Sequence, residues 1–172
     1  TPTRTHSSAA SDVYKRQISM YFDDPSIGQA VTSFSANGVA GDWNQYQLSI
    51  ANQGQATDSV QLISQDVPPD WEIEFEYNDL RDATITVSGI PRLGDGYNVA
   101  NVTIWAKPAQ GGEIDTASIQ LIGISQGNTT KSDAATLVLT RSFGLSLSLV
   151  PQSSSGIFLS LIHISEPTRH RR

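Results

Sequence analysis

Apolar and polar residues alternate along short runs through the middle of this sequence. Because successive side chains of a β-strand point to opposite faces, each run predicts a strand with one buried and one solvated side. A turn sequence at 52–54 ends the first run, and Pro68-Pro69, which cannot lie within a central strand, marks a corner before the third. The apolar rows of the three runs are Tyr46, Leu48 and Ile50, then Val60 and Leu62, then Trp71, Ile73 and Phe75.

Runs of the same kind recur at a spacing of roughly eight to twelve residues, which is typical of an antiparallel β-sandwich. They cover residues 18–22, 83–87, 97–106, 115–125 and 135–143. Residues 23–43 are polar and interrupted by glycine, and they predict a long connection with one weak strand near 30–34. No window has the 3.6-residue period of a helix, so the expected fold class is all-β with about seven to eight strands.

The two ends of the chain depart from this pattern and resemble translated adapters from DNA sequencing. Residues 7–17 match one adapter, and residues 159–169 match the reverse complement of a second. The two matches support each other, since reverse-complementing the codons at the end of the first segment encodes Leu-Ser-Leu-Ile-His-Ile, the start of the second. We therefore exclude residues 1–17 and 159–172 from the fold.

Excluding both ends changes the charge of the chain. All three histidines are lost, and residues 18–158 keep five basic against fifteen acidic residues, a formal charge of −10. So acidic a surface argues against nucleic acid and against an anionic membrane as partners. The sequence has no cysteine, which excludes a disulfide framework and thiol chemistry.

One motif suggests catalysis. Residues 123–127, Gly-Ile-Ser-Gln-Gly, match G-x-S-x-G, in which a strand-to-helix turn exposes a nucleophilic serine. That chemistry also needs a histidine base, and residues 18–158 contain neither a histidine nor a helical pattern after the motif. We interpret the motif as a strand that ends in a glycine turn.

The carboxylates are interpreted as surface groups. Glu72, Glu74 and Glu76 alternate with an apolar row, which places them on the solvated face of a strand, opposite basic residues of a neighbouring strand. The basic candidates are Arg81, Arg92, Lys107 and Arg141. Two acidic pairs, Asp23 with Asp24 and Asp79 with Asp82, supply oxygen ligands for calcium but lack the spacing of a known loop, so no metal site and no cofactor are predicted.

Two tryptophans and two asparagines are candidates for particular roles. Trp43 is the tryptophan least tied to an alternating row, and it is the candidate for an exposed, ligand-binding aromatic. Trp71 opens an apolar row after the proline corner and is expected in the core. Asn101 and Asn128 begin N-x-T sequons, and Asn128 is the better glycosylation candidate because it lies in a predicted loop.

The order of these elements resembles the NEW3 and CARDB-like immunoglobulin-type domains, which occur as tandem modules of secreted or surface proteins in archaea and bacteria. The resemblance covers residues 18–149 and rests on the order Y-x-L-x-I-x-N-x-G, D-S-V-x-L, a Pro-Trp corner and a strand that proline ends. The residues that carry it are Tyr46, Leu48, Ile50, Asn52, Gly54, Asp58, Val60, Leu62, Pro69, Trp71 and Pro108. It implies an Ig-like antiparallel β-sandwich in residues 18–143, of an adhesive, carbohydrate-associated or spacer class.

Residues 144–158 repeat the alternation of residues 18–22 and are interpreted as the start of a second, truncated module. The main hypothesis is a non-catalytic spacer or adhesion module outside the cell or at its surface. Its expected partners are neighbouring Ig-like modules of the same chain, with carbohydrate or a surface protein as further candidates. The alternative is a carbohydrate-binding accessory module of a secreted glycoside hydrolase, which exposed coplanar tryptophans would favour. A third hypothesis, a hydrolase fragment, retains only a carboxylate pair as possible machinery.

Overall fold

The structure is a computed structural model that describes residues 17–143. Within these residues the chain forms eleven β-strands and no helix. The strands are β1 Ile18–Asp24, β2 Gln29–Val31, β3 Ser33–Val39, β4 Asn44–Asn52, β5 Asp58–Gln65, β6 Glu72–Tyr77, β7 Leu80–Asp82, β8 Ile85–Ile90, β9 Val99–Lys107, β10 Thr116–Ser125 and β11 Ser132–Ser142. The module start expected at 144–158 lies outside the described residues, as do the excluded ends apart from Gln17, an exposed residue.

The strands form two sheets that pack against each other. The first has six strands in the order β2-β1-β4-β9-β6-β7, and the second has five in the order β3-β11-β10-β5-β8. Neighbouring strands pair antiparallel except β3 and β11, which pair parallel. The prediction of an all-β sandwich is confirmed, with one parallel pair in an otherwise antiparallel arrangement.

Three short or weakly patterned strands, β2, β3 and β7, raise the number of strands above the seven to eight expected. The first and last are hairpin partners that tight turns create. Asp24 accepts hydrogen bonds from the Ser26 N–H and hydroxyl at 2.8 and 2.6 Å, and the turn through Gly28 leads into β2. Asn78 and Asp79 both have positive φ, 51° and 63°, which matches the type I′ turn of a two-residue hairpin between β6 and β7.

Strand β3 corrects the prediction that residues 23–43 are mainly a connection. It pairs with β11 over seven residues, from Ser33 opposite Thr136 to Val39 opposite Ser142. Its inward row shrinks along the strand from a phenylalanine through an alanine to Gly38. A Cβ at Gly38 would lie 3.0 Å from a side-chain carbon of Pro108, so a larger residue there would have to displace its neighbours. A row that ends in glycine lacks the alternation by which a strand is recognised in sequence.

The strands run the length of the sandwich between two poles. The entry pole is formed by the connections 53–57, 91–98 and 126–131, and the exit pole by the connections 40–43, 66–71 and 108–115. Strand β1 begins opposite Asn52 at the entry pole, whereas β11 ends opposite Val39 at the exit pole. The two points are separated by about the length of β4, roughly 27 Å at about 3.3 Å per residue.

The core lies between the sheets and consists of the inward apolar rows. Its largest fully buried side chains are Phe22, Phe75, Met20, Leu48, Ile50, Leu62, Ile104, Ile119, Leu121, Leu137, Leu139 and Val60. Trp71 belongs to the same cluster and is only 6% exposed. The backbone N–H of Trp71 donates to the Pro68 carbonyl at 3.2 Å. The proline corner therefore sets the direction in which the apolar row of Trp71 enters the core. The prediction that Trp71 is a core residue is confirmed.

Replacing Trp71 by alanine should lower the free energy of unfolding by about 3–5 kcal/mol, the cost of removing a large buried aromatic side chain. Chemical denaturation monitored by circular dichroism measures the change. Leu80→Ala is the matched control, because Leu80 is 72% exposed and its truncation should stay within about 0.5 kcal/mol of wild type. A loss below about 1 kcal/mol for Trp71→Ala would contradict its assignment to the core.

Candidate functional site

The G-x-S-x-G segment forms the end of β10 and the turn after it. Gly123 lies directly against β1: a Cβ there would be 2.5 Å from Met20 Sδ and 3.0 Å from a methyl carbon of Val60. Ser125 is the last residue of the strand and is fully buried. The prediction that the motif is a strand ending in a glycine turn is confirmed.

The hydroxyl of Ser125 holds the turn instead of facing solvent. It donates to Asp58 Oδ2 and accepts a hydrogen bond from the Asn128 N–H at 3.0 Å. The other carboxylate oxygen of Asp58 accepts from the N–H groups of Ser59 and Gly127, at 2.8 and 3.0 Å. This buried network fastens the start of β5 to the β10–β11 turn, and each polar residue of the motif has a structural partner.

A second buried amide closes the neighbouring turn at the entry pole. Asn52 is fully buried, and its amide nitrogen donates to the carbonyls of Ala56 and Ile90 at 2.8 and 3.0 Å. Its amide oxygen accepts from the Gly54 N–H at 2.8 Å. The side chain of Asn52 therefore stabilises the turn at 52–56 and also joins β4 to the end of β8.

The three glutamates of β6 lie on the outer face of the six-stranded sheet, as predicted, and each has a different partner. Glu72 pairs with Lys107 at 2.8 Å, Glu74 pairs with Arg81, and Glu76 accepts a hydrogen bond from the Trp105 indole N–H. The register explains the first pair, because Glu72 lies opposite Lys107. The other two contacts are diagonal: Glu76 lies opposite Arg81 and Glu74 opposite Trp105, yet each glutamate bonds to the other's partner. Arg92 and Arg141, the other two basic candidates, lie elsewhere; Arg92 pairs with Asp95 at 2.9 Å.

Trp43 and Trp105 share one cation on this outer face. The Arg81 guanidinium carbon lies 4.3 Å from the Trp43 ring centroid and 4.1 Å from that of Trp105. Lys107 Nζ lies 5.5 Å from the Trp43 centroid. We call Trp43, Arg81 and Trp105 the indole–guanidinium cluster. Both rings are half-buried and the guanidinium covers each of them, so Trp43, the predicted ligand-binding residue, is engaged by the protein itself.

An open depression of about 490 Å³ lies at the exit pole. It is lined by Gly41, Asp70, Glu72, Lys107, Pro108, Ala109, Gln110, Gly111 and Gly112. Trp43 lies two residues beyond Gly41, and Lys107 both lines the depression and approaches the Trp43 ring. The lining combines carboxylates, an ammonium, an amide and backbone groups, which suits a ligand rich in hydroxyl groups better than an apolar one.

Arg141 supports that depression from within, a role that the sequence did not predict. Its side chain is 3% exposed and donates to the carbonyls of Ala109, Gly111 and Gly112 and to Asp115. Its Nε is buried without a partner in residues 17–143. The partners of Arg141 are backbone carbonyls about thirty positions earlier in the chain, which a sequence pattern does not reveal. The Gly-Gly turn was the one part of this site that the sequence indicated.

The two sequons occupy different kinds of backbone. Asn128 lies in the β10–β11 turn, where its side-chain oxygen accepts from the Thr130 N–H and hydroxyl at 3.2 and 2.7 Å. Asn101 is exposed on β9, a central strand, and accepts a hydrogen bond from Ser49 at 3.0 Å. Asn128 is thus in a loop, as predicted, and glycosylation of either residue remains a prediction.

Of the aspartates considered for calcium, Asp24 borders the β1–β2 turn and Asp79 lies in the β6–β7 turn. Within residues 17–143 no group of three or more histidine, cysteine, aspartate or glutamate side chains converges on a possible metal position. Asp24 instead caps the β1–β2 turn, and the hydrogen bonds from Ser26 lower the pKa of its carboxyl. No helix in that range is long and apolar enough to cross a membrane.

Comparison with known proteins finds no matching protein-family model and no matching curated protein. Among solved structures, a family 123 glycoside hydrolase from Clostridium perfringens superposes with a TM-score of 0.48 at 9% identity, covering 76% of this chain and 28% of that one. The PapD-like (ASH) domain 7 of human CEP192 gives 0.41 at 11% identity, covering 84% of this chain and all of the domain. The secreted serine protease VesC from Vibrio cholerae gives 0.38 at 14% identity, covering 62% and 21%. Scores of this size carry no inference about function.

Replacing Ser125 by alanine should lower the free energy of unfolding by about 1–3 kcal/mol, because it removes the buried hydrogen bond to Asp58 Oδ2 and the acceptor of the Asn128 N–H. Urea denaturation measures the loss. Ser132→Ala is the matched control, because Ser132 is an exposed serine on the other side of the β10–β11 turn. Its free energy of unfolding should stay close to that of wild type. If Ser125→Ala has the same free energy of unfolding as the wild-type protein, the Ser125 hydroxyl does not stabilise the fold.

Tyr46 should make the protein sensitive to alkali. Its hydroxyl donates to the Asn37 carbonyl at 2.9 Å, and burial raises its pKa to about 12. Because the folded pKa lies above the ordinary value near 10, the stabilisation is complete below about pH 10 and is lost as the pH rises toward 12. Phenolate absorbance should show a late ionisation near pH 12 that Tyr46→Phe removes. Identical titration curves for the two proteins would contradict the assignment.

Proposed function

We propose that the chain is a non-catalytic Ig-like module of a tandem extracellular or cell-surface protein, and that it acts as a spacer or adhesion unit. The observation that carries the proposal is the position of the first and last described strands. Strand β1 begins at the entry pole and β11 ends at the exit pole, about one strand length away. Chain termini of a domain are often close together, so this separation is informative.

A module that the chain enters at one pole and leaves at the other extends a tandem array by its full length. The resemblance to NEW3 and CARDB-like modules agrees with this role, and neighbouring modules of the same chain are then its nearest partners. The acidic surface of residues 18–158 suits exposure to water and salt outside the cell.

The buried polar groups also support a structural role. The Ser125–Asp58 pair fixes a turn, Arg141 fixes the connection 108–115, and the outer glutamates are paired across strands. Of the residues that line the depression, Asp70 and Glu72 are the carboxylates, and Glu72 is already paired with Lys107 at 2.8 Å. We therefore propose that the module carries no hydrolytic activity of its own.

A tandem protein in which two copies of residues 17–143 are joined end to end by a short linker tests the spacer role. Small-angle X-ray scattering should give a maximum dimension close to twice that of one copy, because consecutive modules share one long axis. A maximum dimension little larger than that of one copy would mean that modules pack side by side, and the spacer proposal would fail.

A second candidate, a carbohydrate-binding accessory module of a glycoside hydrolase, is favoured by the polar depression next to Trp43. Affinity electrophoresis in gels that contain soluble neutral polysaccharides is a direct test. This function predicts retardation that Trp43→Ala abolishes, while Tyr97→Ala, an exposed aromatic at the opposite pole, changes nothing. Equal mobility with and without polysaccharide would exclude it for the sugars used.

A further inference from the structure

Exposed apolar side chains are concentrated at the two poles of the sandwich. Eight large hydrophobic residues within 17–143 are exposed, and six of them lie in or beside the connections at the poles. The entry pole carries Leu93, Tyr97 and Val99, and the exit pole carries Val39, Ile114 and Phe143. Single apolar residues scattered over a surface are ordinary, so two clusters at opposite ends of one domain call for an explanation.

The entry-pole cluster is carried by a braced connection. The Leu93 N–H donates to the Gly54 carbonyl at 3.1 Å, and the Asn98 amide nitrogen donates to the Asn52 carbonyl at 3.0 Å. Tyr97 lies between these two anchors and is 92% exposed. Because its backbone is already held in place, the ring loses little conformational freedom when a partner covers it.

The exit-pole cluster lies where β3 and β11 end side by side. Val39 pairs with Ser142 in register, and Phe143 follows directly. Ile114 lies two residues before β10, the other neighbour of β11, and the Arg141 guanidinium carbon lies 5.4 Å from the Phe143 ring centroid. The chain continues from Phe143, so the segment that follows the sandwich starts beside this cluster.

The two poles carry opposite charges. The entry connections hold two basic residues and one acidic residue, a net charge of +1, whereas the exit connections hold five acidic residues and no basic one, a net charge of −5. The entry set is Arg92, Lys131 and Asp95, and the exit set is Asp42, Asp66, Asp70, Glu113 and Asp115. The ion pairs of Arg92 with Asp95 and of Asp115 with Arg141 leave the sign of each pole unchanged.

These charges favour one of the three ways in which the poles of two copies can meet. Two exit poles repel each other strongly and two entry poles repel each other weakly, whereas an exit pole and an entry pole attract. The favoured contact is head-to-tail, with a different surface from each copy. Since the two surfaces lie at opposite ends of one sandwich, they cannot meet within a single copy.

We propose that the exit pole of one copy docks on the entry pole of the copy that follows it in a tandem chain, so that Phe143 and Ile114 pack against Tyr97 and Leu93. The proposal rests on the spacer role proposed above. It adds that the junction between modules is a fixed apolar contact, with opposite charges around it, and not a free hinge.

The small size of each cluster explains why the contact needs a tandem chain. A stable complex of free proteins uses about 20–30 residues a side, far more than either pole offers, so separate copies should stay apart. A covalent connection raises the effective concentration of one pole at the other to the order of millimolar, which can populate a small contact. The occupant of each pole is therefore the copy next to it in the same chain.

Nitration of Tyr97 by tetranitromethane tests the contact, because the reagent modifies accessible tyrosine rings. The test protein joins residues 1–158 of one copy to residues 18–172 of a second, so that the segment after Phe143 connects them. With Tyr97→Phe in the first copy, the remaining Tyr97 lies at the junction. With Tyr97→Phe in the second copy it lies at the outer entry pole, which is the matched control. Mass spectrometry of the Tyr97 peptide measures each rate.

Nitration of Tyr97 at the junction should be about fivefold slower than at the outer pole, because a docked ring is covered for most of the time. Phe143→Ser with Ile114→Ser in the first copy should restore the faster rate. The same two substitutions in the second copy, whose exit pole has no copy after it, should leave the protection unchanged. Both residues are exposed, and circular dichroism confirms that each variant folds.

Equal nitration rates at the junction and at the outer pole would overturn the proposal. Protection that survives the Phe143 and Ile114 substitutions in the first copy would overturn it too, because the covering surface would then lie elsewhere. Small-angle X-ray scattering of the same protein separates these failures from a failure of the spacer role. A maximum dimension near twice that of one copy with an unprotected junction means an extended but hinged array, whereas a compact tandem removes the spacer role and this contact together.

Discussion

The close approach of β1 to β10 is the constraint on which the sandwich depends. Met20 places its sulfur 2.5 Å from where a side chain at position 123 would begin, so any residue larger than glycine there requires Met20 to move. At Met20, strand β1 pairs with β4 on one side only. On the other side the Met20 N–H donates to the Asp133 carboxylate of β11 at 2.7 Å, which links the six-stranded sheet to the five-stranded sheet. Strand β1 thus closes one side of the core, and the apolar rows of both sheets meet behind it.

This constraint also explains why a catalytic-looking motif occurs in a sequence that lacks catalytic partners. The first glycine of G-x-S-x-G packs against Met20, and the serine bonds to Asp58. The second glycine donates its backbone N–H to the same carboxylate, a contact that does not itself require glycine. The polar depression at the exit pole lies beside the connection 108–115, which Arg141 holds through backbone carbonyls. The polar side chains of the motif, in contrast, hold turns in place.

The sequence predicted those parts of the fold whose inward side chains are large. Rows such as that of Trp71 alternate visibly, and their strands and burial were foreseen. Strand β3 was foreseen only as a weak strand near 30–34, because its row ends in Gly38. Strand β7 was missed because a turn with positive φ creates it without an apolar pattern. The indole–guanidinium cluster depends on strand register, and the buried contacts of Arg141 depend on distant backbone carbonyls. A single sequence displays neither.

A double-mutant cycle between Met20 and Gly123 tests the central claim most directly. Gly123→Ala should destabilise the wild-type protein by about 1–3 kcal/mol, the range for forcing an extra carbon into a packed core. In a Met20→Ala background, where the sulfur is gone, most of this penalty should disappear, which gives a coupling energy of about 0.5–3 kcal/mol. Equal destabilisation by Gly123→Ala in both backgrounds, or none in either, would contradict the claim that packing against β1 dictates this glycine.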